Sequence, residues 1–220
     1  DRKLLDKENS LKRNRTILEG EEKFDKDLWN SLVSMGLTAV TIPEEFGGIG
    51  MGYLELCVIA EELGRAIAPV PYSSSVYLAT TAILNCASDE IKKEFLPKLA
   101  SGEIIGTFAH AESSGFPLEK SINCNFASGK ISGTKAAVPD ADIADFAIVS
   151  AKSSSGVGLY LVDLKDSNIE ITSLDTFDPS RSHANIDIKD ASAKELISDG
   201  WLEIEKILDL LHEKQISDND

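Results

Sequence analysis

The apolar positions of this chain change their spacing near residue 100. In LELCVIAEEL, Leu56, Ile59, Ala60 and Leu63 stand at i, i+3, i+4 and i+7, one continuous helical stripe. Glu55, Glu61 and Glu62 keep much of the remaining surface polar. Trp29, Leu32, Val33 and Leu37 predict another helix near residues 25–36. Ser88 followed by Asp89 and Glu90 is a helix start, because a serine oxygen accepts from a free N–H and acids suit the positive helix end. Ile91, Phe95 and Leu99 carry that helix towards Gly102, a terminator, and Pro97 is expected to bend or cut its last turns. Beyond residue 100 the runs are short, β-prone and alternating, with strands expected near 104–111, 121–127, 130–138, 145–151, 158–163, 168–174 and 183–189. SGK, PDAD and SSSG supply turns between them. Seven short strands with no helix among them predict an antiparallel sandwich or barrel. Helical spacing returns in Trp201, Ile204, Leu208 and Leu211. The fold class is therefore α+β: a helical domain over 1–101, a β domain over 102–192, and one helix within 193–220.

Composition narrows the class of function. With 220 residues, 42% of them hydrophobic, the chain holds one large core or two modest ones. No apolar run approaches the ~20 residues that cross a bilayer. The opening DRKLLDKENSLKRNR is charged throughout and has no signal-peptide character, so the expected location is cytoplasmic, or an organelle after loss of a targeting segment. A net charge of -15 repels phosphate backbones and anionic membranes, which argues against a nucleic-acid partner. Cys57, Cys86 and Cys124 form no C-x-x-C pair, and His110, His183 and His212 have no ligand spacing. Reduced thiols and no metal site are expected.

One stretch invites a sharper reading. Gly47, Gly48, Gly50 and Gly52 crowd TIPEEFGGIGMGYLEL just ahead of a helix, where a phosphate loop also sits. A dinucleotide fingerprint needs G-x-G-x-x-G after a strand, and a Walker loop ends in G-K-[ST]. Here the order is GGIGMG, both flanks are helical, and the run ends in G-Y. The glycines read instead as a turn that lets two helices approach closely.

The run LWNSLVSMGLTAVTIPEEFGGIGMGYLELCVIAEELGRAIAPVPYSSS resembles the N-terminal domain of the acyl-CoA dehydrogenase family. EFLPKLASGEIIGTFAHAE is similar to the family's passage into its middle β domain, and ISGTKAAVPDADIADFAIVSA to a G-x-K strand and A-D turn within it. LDTFDPSRSHANIDI resembles the D-x-x-R segment near that domain's end. The resemblance covers roughly residues 25–214. It implies a helical N-terminal domain, a β middle domain and the first helix of a C-terminal helical domain. It implies FAD as cofactor, an acyl-CoA thioester as substrate, α,β-desaturation as the reaction, and a homo-oligomer or a hetero-oligomer with a complete acyl-CoA dehydrogenase.

Carried over position by position, the resemblance places Phe108, His110 and Ala111 along the flavin's pyrimidine side, and Ser113, Ser114 and Gly115 near the thioester arm. AESSG also reads as an ordinary strand-connecting turn. Where many members read W-I-T against the flavin ring, this chain has Ala137, Val138 and Pro139, which offer neither a stacking surface nor, at the proline, a backbone donor. A similar K-x-x-V-P pattern occurs in members that act on bulkier acyl groups. His110 reads either as a flavin hydrogen-bond donor or as a half-buried strand histidine. Arg181, with Asp175 and Asp178, reads as an ion-paired corner between domains, and Trp201 as a core anchor. The family's catalytic base is a glutamate in the C-terminal helical domain. Glu203, Glu205 and Glu213 do not match its motif, so no catalytic residue is assigned.

Overall fold

In a computed structural model, the structure describes residues 4, 5, 7, 9–20, 22–114, 117–177 and 180–216. Gly115 and Asp178 lie outside the described residues, and so does the side chain of Leu211. The helices are α1 (Leu11–Leu18), α2 (Lys26–Ser34), α3 (Tyr53–Arg65), α4 (Thr80–Cys86), α5 (Asp89–Ala100) and α6 (Trp201–Ile216). A π-helical segment, Ser73–Ala79, runs directly into α4. The strands are β1 (Gly106–Ala109), β2 (Asn125–Ala127), β3 (Lys130–Pro139), β4 (Phe146–Lys152), β5 (Val157–Asp163), β6 (Ile169–Ser173) and β7 (His183–Ile197).

Local chemistry starts these helices where the sequence expects. Asp25 caps α2 by accepting from the Leu28 N–H at 3.0 Å, and Arg13 binds its carboxylate through Nε and Nη2. Burial would push the Asp25 carboxyl up, but Arg13 and the helix N–H hold it below its ordinary value. Ser88 caps α5. Pro97 does not cut that helix, which continues to Ala100. Leu96, Leu99 and Ala100 are all buried, and their packing outweighs the one backbone bond a proline removes. Gly102 follows with φ +66°, and a Cβ there would stand 2.4 Å from Val33.

The glycine stretch is a backbone clasp. Ile49, Gly50 and Met51 donate N–H bonds to Ala39, Ile42 and Val40, folding the loop flat onto the preceding turn. A Cβ on Gly48 would stand 1.9 Å from the Ile42 carbonyl oxygen, so only glycine fits. Gly52 then caps α3, its N–H bound by the Glu55 side chain at 3.0 Å.

The sheet closes on itself. β4 pairs β5, β5 pairs β7, β7 pairs β3, β3 pairs β2, and β2 returns to β4 through Asn125 and Lys152. β1 lies along the other part of that same β4 edge, and β6 flanks β7. The ladder is antiparallel except at β4, where β1 and the single β2 pair run parallel. The chain between β1 and β4 is long enough for the crossover that parallel pairing needs. β7 is longer than the expected 183–189: it bends at Asp190 (φ +62°) and runs on to pair with β5. The polar pair Lys189–Asp190 imitates a turn but forms a bulge.

Alternation along each strand divides two cores. Ala147, Val149, Ala151, Tyr160 and Val162 point into the barrel with Ile131, Val138 and Ile186. Phe108, Phe146, Ile148, Leu159 and Leu161 point outward and pack under Leu78, Ala82, Ile83, Leu96, Leu99, Ile204 and Ile207. The helices therefore cover the outer wall of the barrel on the side where β1 and β4 run.

Candidate functional site

The candidate site begins where β1 ends. Phe108 and His110 share the helix-facing side of the strand, and Ala109 points into the barrel. Two bonds bring this end against β3: Ala136 N–H donates to the Ala111 carbonyl at 2.8 Å, and the Thr107 hydroxyl donates to the Pro139 carbonyl at 2.6 Å. The two predicted segments, 108–111 and 137–139, are therefore neighbours although 29 positions separate their starts. Their side chains diverge. Val138 is buried in the barrel core, Pro139 is half-buried, and Ala137 is exposed with φ +49° and its N–H bound to the Asn185 side chain. Ser113 and Ser114 are exposed on the loop leaving β1.

Three residues not predicted for the site complete it: Glu112, Lys135 and Ser150. β1 and β2 diverge along β4, which opens a split in the barrel wall between residues 110 and 124. The fully enclosed Lys135 reaches into that split. Its ammonium donates to the His110 carbonyl at 3.1 Å, to Ser150 Oγ at 3.0 Å and to Glu112 Oε1 at 2.8 Å, so each of its three protons has an acceptor. Glu112 in turn accepts the Asn123 and Cys124 backbone N–H groups at 2.7 and 3.0 Å. The ion pair thus ties the exit of β1, the entry of β2 and the middle of β4 into one knot.

Electrostatics follow from this enclosure. Burial pushes the Lys135 ammonium down from its ordinary value, and the Glu112 carboxylate beside it works in the opposite direction. Burial works against the Glu112 carboxylate too, but Lys135 and the Cys124 N–H hold its pKa below the usual range. His110 is buried, and burial with the nearby Lys135 charge lowers its pKa to about 4, so the imidazole is neutral at physiological pH. Its Nδ1 lies 2.9 Å from Ser150 Oγ, and its Nε2 is buried with no hydrogen-bond partner among the described residues. Burial likewise pushes the Cys124 thiol up to about 12 and Cys86 to about 11, which keeps both protonated and poor nucleophiles.

Arg181 does form a corner between the domains, but around a different acid. Its Nη2 binds Asp140 Oδ2 at 2.8 Å, and Ser74 of the π-helical segment donates to the same oxygen. Trp201 is half-buried against the helix-side core, with its ring 5.6 Å from His110. A groove of about 400 Å³ between α5 and the sheet is lined by Phe95, Phe146, Leu161 and Lys194, and another of about 470 Å³ by Leu63, Ile67, Tyr72 and Arg181. Neither is lined by His110 or its partners.

A family profile described as "Acyl-CoA dehydrogenase, N-terminal domain" matches residues 2–103. The acyl-CoA dehydrogenase FadE27 of Mycobacterium tuberculosis is 32% identical over 157 residues, which are 71% of this chain and 42% of that protein. The chain belongs to the acyl-CoA dehydrogenase family. Among solved structures, the Tcur3481-Tcur3483 steroid ACAD G363A variant superposes with a TM-score of 0.83 at 29% identity, covering 95% of this chain and 57% of that one. The ChsE4-ChsE5 complex from Mycobacterium tuberculosis gives 0.78 at 27%, covering 88% and 52%. The chain thus matches 42% of the FadE27 length and a little over half of the two solved chains. Its helical layer, closed sheet and following helix are the family's N-terminal and middle domains with a C-terminal helix.

Proposed function

We propose that this chain supplies the N-terminal and middle domains of an FAD-dependent acyl-CoA dehydrogenase that desaturates an acyl-CoA thioester between its α and β carbons. The observation that carries the reading is the end of β1, where Phe108, His110 and Ala111, placed by the family resemblance, stand beside Ala137–Pro139 at the end of β3. Phe108, His110 and Ala111 would hold the FAD ring, and the chemistry supplied by the bound cofactor would be acceptance of a hydride from the β carbon. The residues fit a flavin at β1 through a buried, unpartnered His110 Nε2 that suits a polar ring edge. They fit less well at Ala137–Pro139, which gives room instead of a stacking ring.

The residues of this chain bind and exclude water. Lys135 and Glu112 hold the β1 exit rigid, and exposed Ser113 and Ser114 border the entry for the thioester arm. The K-x-x-V-P pattern, and likeness to a steroid ACAD, favour an acyl group bulkier than a straight chain. The proton-abstracting carboxylate is not Glu203 or Glu205, which bind Lys206 and Trp201 on their own helix. It comes from helices that the longer relatives carry, on the same polypeptide or on a partner subunit. A second reading, a non-catalytic subunit docked on a complete dehydrogenase, draws on the two-protein ChsE4-ChsE5 neighbour.

Purified protein incubated with FAD and desalted tests the cofactor, and dye reduction with a panel of branched and ring-bearing acyl-CoAs tests the reaction. Retained flavin absorbance with no turnover until a helical partner is added is the expected result. A colourless product at saturating FAD removes the cofactor reading, and turnover by residues 1–220 alone removes the claim about the base.

A further inference from the structure

The groove between α5 and the sheet lies apart from the end of β1. It forms where α5 crosses the outward face of β4 and β5. Phe146 and Leu161 look out from those strands, and Lys194 of β7 stands opposite Leu161 in register. Phe95 comes down from α5 to meet Phe146 edge to face, with ring centroids 5.2 Å apart and planes at 66°. The space left beside this pair is about 400 Å³, within the ~300–1,000 Å³ typical of small-molecule pockets. Its floor is apolar and aromatic, so a ligand with an apolar body gains by leaving water for it.

The rim decides the charge of that ligand. Its ionisable side chains are Glu94, Lys98, Asp145, Asp163, Lys165 and Lys194. The acids are all answered from within the protein. Glu94 accepts from Lys194 at 2.6 Å, and Asp145 from Lys165 at 2.7 Å and from the Ile105 N–H at 2.9 Å. Asp163 accepts the Lys165 N–H at 2.9 Å. Lys98 alone of the rim lysines has no acid partner among the described residues. It stands three residues after Phe95, about one helical turn away on the face of α5 that lines the groove. The uncommitted charge is therefore a cation beside an aromatic floor. Three lysines against three acids also leave the groove locally neutral on a chain of net charge -15, so an anion is repelled less here than over the acidic surface at large.

We propose that this groove binds a small aryl carboxylate, its ring against Phe95, Phe146 and Leu161 and its carboxylate on Lys98. No residue from the end of β1 lines the groove, so the two sites are separate and binding here does not require FAD. The spacing of Phe95 and Lys98 sets the tether: two methylenes between ring and carboxylate match about one helical turn. Glu94 holds Lys194 across the mouth, with the ammonium 5.2 Å from the Phe95 ring centroid, and so joins α5 to β7. Released from Glu94, Lys194 becomes a second cation for the same carboxylate.

The probe is 3-phenylpropanoate, titrated into the 220-residue chain and followed through the methyl NMR signals of Ile104 and Leu161, which line the groove. Saturable shifts at both residues, with a Kd on the order of 1 mM, are the expected result. The neutral 3-phenylpropanamide should bind the parent about two- to fivefold more weakly than the acid does, the worth of an exposed ion pair. Lys98→Met should weaken the acid by about the same factor, and Glu94→Gln, which frees Lys194, should tighten it by about two- to fivefold. Salt at about 0.5 M should shrink all three differences. Glu94 and Lys98 are both exposed, so neither substitution threatens the fold. Absence of methyl shifts up to about 10 mM overturns the proposal, and so do shifts confined to methyls outside the groove. Equal binding of acid and amide, or an affinity for the acid unchanged in Lys98→Met or in Glu94→Gln, refutes it as well.

Discussion

Replacing Lys135 with methionine keeps most of the aliphatic stem and deletes the charge that closes the barrel wall. Lys135 is 0% exposed and its partner Glu112 10%. The substitution leaves a largely buried carboxylate with two N–H donors and no countercharge, and strips a donor from both the His110 carbonyl and Ser150. Removing one member of a buried ion pair costs about 3–5 kcal/mol, far above an exposed pair. For a chain of this length that corresponds to a fall in Tm of roughly 6–20 °C. Glu112→Gln leaves the ammonium uncompensated and should cost a similar amount. The double variant Lys135→Met/Glu112→Gln has no stranded charge, so its loss should fall short of the sum of the singles by about 2–3 kcal/mol. Urea unfolding followed by tryptophan fluorescence measures all four species. A Lys135→Met loss under about 1 kcal/mol, or additive single losses, would refute the claim that this pair ties β1, β2 and β4 together.

Two further outcomes follow from the same geometry. His110 has a native pKa of about 4 against an ordinary 6.5, so between those values the unfolded chain takes up a proton that the folded chain refuses. Stability therefore drops as pH falls through that window, by up to roughly 3 kcal/mol, and urea melts at pH 7 and pH 4.5 should show a smaller drop for His110→Gln than for the parent. Identical pH slopes contradict the burial argument. Gly48→Ala should cost on the order of 3 kcal/mol, since its Cβ would strike the Ile42 carbonyl, whereas Gly64→Ala in the open interior of α3 should gain about 0.5–1 kcal/mol; thermal melts that rank them otherwise disprove the clasp.

Much of the fold was legible because it is written at short range. The α3 stripe Leu56, Ile59 and Leu63 is buried as its spacing requires, Ser88 and Gly102 bound α5, and each strand begins close to where alternation places it, although β7 runs on beyond residue 189. The segment Ser73–Cys86 was not legible. Every residue from Ser74 to Ile83 is buried, so no polar face marks a helical period, and its serines and threonines read as loop. The β7 bulge was hidden for the opposite reason, since its Lys189–Asp190 pair looks like a turn.

The candidate site divides along the same line. Family-matched segments named Phe108, His110, Ala111 and Ala137–Pro139, and a charged residue in each of FAHAE and ISGTK was the available signal for Glu112 and Lys135. Sequence alone determined that two opposite charges sit in apolar surroundings 23 positions apart. Only the closed sheet decided that they meet, because barrel closure brings β1, β2, β3 and β4 to one split and leaves Lys135 no water to turn to. The partner of His110 is decided there as well: its Nδ1 lies 2.9 Å from the hydroxyl of Ser150, 40 positions away, which only the β1–β4 pairing brings alongside.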